Sequence, residues 1–278
     1  MNKLSIERQA RVIKVLCEGN SIRSTARITD TSINTVVKLL REVGAACLKY
    51  QDRNLRHLSC KRIECDEIWS FCYAEERNVS EDKKGKLGYG DVWTFVAIDA
   101  DTKLALSWLV GWREPEDAYE FAKDIRSRLD NRVQLTTDGH RMYYLAVDAA
   151  FGDDVDYAML VKYYGNIYDE KGRYIGYPKC TKAEPKRVYG NPDMSKVSTS
   201  YIERQNLTMR MNMRRFTRLT NGFSKKIDNH KYALALYFMH YNFARVHKTL
   251  ANPYPRIPAM ASGISDHIWT FEEIIKLS

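Results

Sequence analysis

The sequence lacks the features that mark secreted, membrane-spanning and zinc-stabilised proteins. Its six cysteines are scattered along 278 residues, and no Cys-x-x-Cys pair of the kind used by structural zinc sites occurs. The N-terminus has no apolar signal-peptide core, and no run approaches the roughly 20 apolar residues of a membrane span. We therefore expect reduced core thiols in a cytoplasmic protein with no membrane partner.

Acidic residues are fewer than basic ones, and this charge balance indicates which kind of molecule the protein binds. The chain has 44 Lys and Arg against 35 Asp and Glu, which gives a formal net charge of +9 and a pI of about 9.1. Because 44% of the residues are hydrophobic, the chain can bury an ordinary core, and its length fits one large domain or a medium and a small one. The charge favours an acidic polymer such as nucleic acid as partner, although it also serves solubility alone.

Residues 1–45 show the pattern of a helix-turn-helix module. Ser5, Ser21 and Ser32 are each placed to cap a short helix with apolar residues at helical spacing. In such a module the third helix enters the DNA major groove. The residues then predicted to contact DNA are Arg23, Arg27, Ser32, Asn34, Thr35, Lys38 and Arg41. The alternative is a small helical cap that binds nothing, and the basic segment 46–62 that follows is expected to be a linker.

Residues 63–250 are expected to form a second, α/β domain. Three strand-like runs joined by turns are followed by alternating helices and strands, an order that matches a ribonuclease-H-like mixed sheet flanked by helices. Two long helices are expected at about 199–220 and 225–246. An insertion at about 165–195, rich in Gly, Pro, Tyr and Lys, is either irregular or a small hairpin. The tail 251–278 is expected to be extended, with a short last helix near 271–277.

Three acidic residues fall where this fold would bring them together. Asp66 lies on the first strand, Asp138 ends the fourth, and Glu203 opens the first of the two long helices. Carboxylates without a His or Cys cluster favour Mg²⁺ or Mn²⁺, and two such ions support phosphodiester chemistry. Taken singly, each acid is more often a turn, surface or helix-start residue. Neighbouring Glu67 is ranked lower because adjacent strand residues point to opposite faces.

The helix that carries Glu203 is strongly basic. Arg210 lies seven residues further, nearly two turns, so both residues share a face and the arginine can hold a phosphate beside the metals. The other predicted DNA contacts on and beyond this helix are Arg204, Arg214, Arg215 and Arg218, and Asn206 is predicted to contact either DNA or one of the metal ligands. A solvated basic face is the alternative.

The segments 66–71, 137–139, 202–210 and 214–218 together resemble the DDE transposases of bacterial insertion sequences, most closely the insertion-sequence-one family. The resemblance implies a ribonuclease-H-like catalytic domain, metal ligands at Asp66, Asp138 and Glu203, and a conserved basic position at Arg210. It also implies an N-terminal domain that binds terminal inverted repeats. The interval between Asp138 and Glu203 is longer than expected for that family, and the N-terminal zinc-binding cysteines of some members are absent.

The function expected from these features is DNA transposition: recognition of double-stranded element ends, metal-dependent cleavage that frees a 3′-hydroxyl, and strand transfer. Synapsis of two ends predicts at least a homodimer on DNA, in association with the nucleoid. Two alternatives stay open. One is a ribonuclease-H-like nuclease or resolvase without strand transfer, and the other is a transposase-derived regulator with an inactive site.

Overall fold

The computed structural model describes residues 4–166, 168, 170–173, 176, 178–217 and 220–278. Its helices are α1 (Ile6–Cys17), α2 (Ile22–Ile28), α3 (Ile33–Asn54), α4 (Pro115–Arg128), α5 (Met142–Phe151), α6 (Ser200–Asn212), α7 (Ile227–Met239), α8 (Pro258–Ala261) and α9 (Phe271–Lys276). Its strands are β1 (Arg62–Cys72), β2 (Gly90–Asp99), β3 (Ala105–Gly111), β4 (Val133–Asp138), β5 (Val155–Gly165) and β6 (Lys179–Tyr189).

The six strands form one mixed sheet in the order β3-β2-β1-β4-β5-β6. The first three strands pair antiparallel, β4 and β5 run parallel to β1, and β6 returns antiparallel to β5. Helices flank this sheet, and aromatic residues such as Phe95, Phe121 and Phe238 are fully buried between the layers. The mixed sheet is therefore consistent with the ribonuclease-H-like fold predicted from the sequence.

The three predicted N-terminal helices are present with their serine caps. The side chains of Ser5, Ser21 and Ser32 each accept a hydrogen bond from a backbone N–H in the first turn of the helix that follows. The helices do not form an isolated unit, because α1 packs against the C-terminal α9 and α3 packs along α7.

The segment 46–62 differs from the predicted linker, because α3 continues without interruption to Asn54. The reason is tertiary packing. Gly44 lies against the backbone of Tyr232 in α7, and Gln51 Nε2 donates a hydrogen bond to the Ala235 carbonyl, at 2.9 Å. A helix that gains a packed partner continues past the point where its sequence pattern weakens.

The chain after the sheet also departs from the predicted boundaries. Helix α6 ends at Asn212, and a single 3-10 turn follows at Arg214–Phe216. In this turn the buried Phe216 packs against the His230 ring, with 5.3 Å between the ring centroids. Helix α7 continues as a π-helical turn, His240–Ala244, whose Asn242 amide pairs with both backbone groups of Ala105. The tail is partly helical, through α8 and α9, rather than extended.

Much of the described part of the predicted insertion belongs to a hairpin between β5 and β6. Strand β6 pairs with β5 from Tyr157↔Tyr189 to Gly165↔Lys179, which extends the sheet by one edge strand. Nearly all of its side chains between Lys179 and Arg187 are exposed. The hairpin accounts for much of the long interval between Asp138 and Glu203.

Candidate active site

Asp66 and Asp138 meet where two parallel strands separate. The β1–β4 register pairs Glu64 with Thr136, and each aspartate lies two residues beyond that pair. Because side chains alternate along a strand, a step of two residues from paired positions places both carboxylates on the same face of the sheet. Ligands collect at such carboxyl ends of parallel strands. The predicted proximity of these two aspartates is therefore present in the structure.

Glu67 belongs to the same acidic cluster, although strand alternation predicted that its side chain would point to the other face. One carboxylate oxygen from each of Asp66, Glu67 and Asp138 lies within 4.8 Å of the others. The alternation rule failed here because the Asp66 side chain bends along its own strand, where Oδ1 accepts a hydrogen bond from the Glu67 N–H at 2.9 Å. The only indication of this role in the sequence was that Glu67 is an acidic residue next to Asp66, the expected metal ligand.

Partners already hold both carboxylate oxygens of Glu67. Arg113 forms an ion pair with Oε1 at 2.5 Å, and the Tyr143 hydroxyl donates to Oε2 at 2.9 Å. Burial raises the pKa of Glu67, the charge of Asp138 raises it further, and Arg113 opposes both. Each carboxylate oxygen of Glu67 therefore has a partner, whereas Asp66 and Asp138 line a pocket of about 510 Å³.

Glu203 lines that same pocket from the first turn of α6. Its Oε1 accepts a hydrogen bond from Thr199 Oγ1 at 2.5 Å and forms an ion pair with Lys162 of β5. Burial lowers the pKa of the Lys162 ammonium, but the hydrogen bond to Glu203 and the negative charge of Glu203 have the larger effect. The pKa of Lys162 is therefore raised. The three predicted acids therefore share one pocket, with an ammonium group beside the third.

The start of α6 is fixed by a residue that the sequence did not single out. The buried Glu64 carboxylate accepts hydrogen bonds from the backbone N–H groups of Tyr201 and Ile202, at 2.8 and 3.1 Å. These are donors of the first helical turn, which have no partner within the helix. Burial raises the pKa of Glu64, and the two hydrogen bonds partly offset that effect. Glu64 thus ties the Glu203 helix to the strand that carries Asp66.

A second contact joins α6 to the acids. The Asn206 amide nitrogen donates to Asp66 Oδ2 at 2.9 Å, and the Asn206 side chain is buried. Among the residues that the structure describes, none forms a hydrogen bond with its Oδ1. The contact with Asp66 corresponds to one of the two roles expected for Asn206, the support of a metal ligand.

The acid pocket suits a divalent cation. Burial raises the pKa of Asp66 to about 7, and the charges of Glu67, Asp138 and Glu203 contribute, while the Glu67 N–H opposes them. Crowded carboxylates repel one another when all are ionised, and a cation among them removes that repulsion. Carboxylate oxygens match the preference of Mg²⁺ and Mn²⁺, and the imidazole of His140 also lines the pocket. The carboxylates of Asp66, Glu67 and Asp138 lie close enough together to hold such an ion, and Glu203 lines the same pocket from α6.

The basic residues around α6 do not all face solvent. Arg204 and Arg214 are exposed, and Arg210 is half-buried near the end of the helix. Arg215 is half-buried and donates to Ser224 Oγ at 2.9 Å, and burial lowers its pKa to about 10. Arg218 lies outside the described residues.

The predicted N-terminal DNA contacts are largely accessible. Arg23 and Arg27 on α2, and Asn34, Lys38 and Arg41 on α3, are exposed. Ser32 and Thr35 are bonded to each other at the start of α3, where Ser32 serves as the cap. Lys38 lies 3.7 Å from Glu42 on the next turn, an exposed pair that contributes little stability. Across the described residues, no helix is both long and apolar enough to cross a membrane.

Comparisons with known proteins give distant structural likenesses. No protein-family model and no curated protein sequence matches this chain. Among solved structures, it is similar to a piggyBac transposase synaptic complex with hairpin DNA, at a TM-score of 0.45 and 8% identity over 99% of this chain and 70% of that one. It is also similar to the Mos1 strand transfer complex (TM-score 0.22, 14% identity), where the match covers 54% of this chain and 56% of that one. A pre-cleavage Mos1 transpososome matches at a TM-score of 0.23 and 11% identity, over 56% of this chain and 60% of that one.

Proposed function

We propose that this protein is a DNA transposase that binds the inverted repeats at the ends of its own element, cleaves DNA there and joins the freed 3′ end to target DNA. The observation that carries the proposal is the shared pocket of Asp66, Asp138 and Glu203. These acids come from two adjacent parallel strands and a helix, the arrangement that the resemblance to insertion-sequence transposases implies. We assign Mg²⁺ or Mn²⁺, two ions per site, as the cofactor.

The metal ions, when bound, supply activation of the attacking hydroxyl group and stabilisation of the leaving oxygen. The protein's own residues position what reacts. Asp66 is aimed by its hydrogen bonds from Glu67 N–H and Asn206, and Glu203 by Thr199. Glu64 keeps α6 in register with β1, so the third acid stays at the pocket. Positioning and charge neutralisation are the main requirements for phosphoryl transfer.

The basic residues are assigned to the DNA. We propose that α2 and α3 act as a helix-turn-helix, in which Asn34, Lys38 and Arg41 face the major groove while Arg23 and Arg27 contact phosphates. Their exposure supports this assignment. Arg204, Arg210 and Arg214 would contact the DNA backbone beside the pocket. Two copies would assemble on a pair of DNA ends.

The experiment that tests the proposal uses linear DNA spanning both flanks of the gene, with Mg²⁺ or Mn²⁺ and a labelled target plasmid. The wild-type protein should cut at discrete positions and produce joined molecules, and Asp138→Asn should do neither while keeping its thermal unfolding temperature. Cleavage without joining would instead favour a ribonuclease-H-like nuclease or resolvase. Sequence-specific binding without any cleavage would favour a regulator with an inactive site.

A further inference from the structure

The accessible side of α3 carries two apolar side chains as well as the polar ones assigned to DNA. Ile33, Val37 and Arg41 follow one another at steps of four residues, so they form one row along the helix. Asn34 and Lys38 form the row beside it. An apolar pair, Ile33 and Val37, therefore lies within the surface that we assign to the major groove.

The core of the N-terminal helices is formed by the opposite side of α3, where Val36, Leu40 and Val43 are buried. Ile33, in contrast, is 48% exposed in the first turn of the helix, and Val37 is half-buried. Both residues are β-branched and have one strongly preferred rotamer in a helix. A ligand that packs on this pair therefore meets a stiff apolar surface, and little side-chain entropy is lost on binding.

The surroundings of this pair favour DNA as its partner over a second protein. Between Ile22 and Arg41 the chain has four basic residues and one acidic residue. Two side chains also cover far less than the roughly 800 Å² that each partner contributes to a stable protein interface. On base-pair edges in the major groove, the group that offers an apolar contact is the C5-methyl group of thymine.

We propose that Ile33 and Val37 form a thymine-recognition site, in which both side chains pack on the C5-methyl group of one thymine in each terminal inverted repeat. The inference rests on the proposed function, because it takes the element ends as the ligand and α3 as the helix in the major groove. The first residues of such a helix contact base edges, and Ile33 is the first residue of α3. Asn34 and Lys38, in the neighbouring row, are placed for polar contacts to the adjacent base pairs and phosphates.

Replacement of thymine by uracil tests this site, because the two bases pair identically and differ only in the C5-methyl group. The affinity of the full-length protein is measured for duplexes that contain one element end, with each thymine replaced in turn, in a chelator-containing buffer that prevents cleavage. In the wild type, uracil at one position should weaken binding about three- to sixfold, the effect expected when one buried methyl group is lost. In a double variant with Ile33→Ala and Val37→Ala, the same replacement should change the affinity by less than about 1.5-fold, whereas Ile33→Val should keep the wild-type sensitivity.

Leu48→Ala is the matched control, because it removes another exposed apolar side chain from α3, roughly 22 Å from Ile33 along the helix axis. It should keep the uracil sensitivity of the wild type. The inference is overturned if no uracil position weakens wild-type binding, if the double variant keeps the full sensitivity, or if Leu48→Ala loses it. A double variant that keeps the sensitivity but loses self-association would assign the apolar pair to a contact between two copies of the chain instead. Wild-type protein that binds the element ends no more tightly than unrelated DNA would overturn the proposed function, and this site with it.

Discussion

Replacement of Asp66 by asparagine should stabilise the metal-free protein, and the gain should grow with pH. Asp66 is crowded by Glu67, Asp138 and Glu203, and its pKa is raised to about 7. A folded-state pKa above the unfolded value means that the folded protein holds the proton more tightly. The associated stability is present below the unfolded pKa, near 4, and is lost as pH rises through 7. Ionisation of Asp66 therefore lowers the unfolding free energy of the metal-free protein, and a bound cation removes this destabilisation.

The magnitude follows from the pKa. Between pH 5.5 and pH 8 the unfolded aspartate stays ionised, whereas the folded one releases its proton near pH 7. At about 1.4 kcal/mol per pH unit over the interval from 5.5 to 7, the wild type loses about 2 kcal/mol of unfolding free energy through this group. The Asp66→Asn variant has no carboxyl group to titrate at this position, so it does not lose this unfolding free energy. The stability difference between variant and wild type should therefore increase by about 2 kcal/mol across this range.

The assay is urea unfolding of both proteins in a chelator-containing buffer at several pH values. The comparison must be made between variants at each pH, because other groups also titrate. Burial lowers the pKa of His230 to about 3 and that of His240 to about 4, so both destabilise the fold as pH falls below the unfolded value near 6.5. These histidines are common to both proteins and cancel. At pH 8, Mg²⁺ should stabilise the wild type and not Asp66→Asn. A difference that stays constant with pH would refute the reasoning.

Three further predictions concern positioning, metal competition and DNA contact. Glu64→Ala leaves two N–H groups of α6 without an acceptor and should lower the unfolding free energy measured with urea by about 2–4 kcal/mol. Glu64→Gln keeps one acceptor oxygen and should lower this free energy clearly less. Equal losses in the two variants would argue against the anchoring role of Glu64. Lys162→Met removes the ammonium that competes for Glu203, so calorimetry should give about three- to tenfold tighter Mg²⁺ binding, and an unchanged affinity would contradict the ion pair's importance. Lys38→Ala should reduce the slope of log affinity against log salt by about one for DNA carrying the element ends, while the exposed control Lys123→Ala leaves that slope unchanged.

Most strands and helices could be predicted because their apolar residues repeat at the strand or helix period. The extension of α3 to Asn54 could not, since it depends on contacts with Tyr232 and Ala235 nearly 190 residues away. Strand β6 was expected only under one of two alternatives for this segment, a small hairpin. A strand with polar, exposed side chains on both faces has no alternation to read, and only its pairing with β5 defines it.

The candidate site could also be predicted only in part from the sequence. Asp66, Asp138 and Glu203 could be proposed because each follows or opens a recognisable element, and the structure gathers all three around one pocket. The proximity of Glu67 to the two aspartates was not predicted, since an alternation rule describes where Cβ atoms point and not where a bent side chain ends. Glu64 and Lys162 carried no signal at all, because their roles depend on the approach of α6 to the sheet.

The most direct test of the account compares Glu203→Gln with Glu67→Gln in the metal-dependent cleavage of DNA from the flanks of the gene. Glu203 is assigned to hold metal, whereas Glu67 is already bonded by Arg113 and Tyr143. We predict that the wild type cleaves, that Glu203→Gln loses at least about 100-fold in rate at saturating Mg²⁺, and that Glu67→Gln keeps metal-dependent cleavage within about tenfold. Wild-type protein that does not cleave, or cleavage that survives in Glu203→Gln and vanishes in a folded Glu67→Gln, would contradict it.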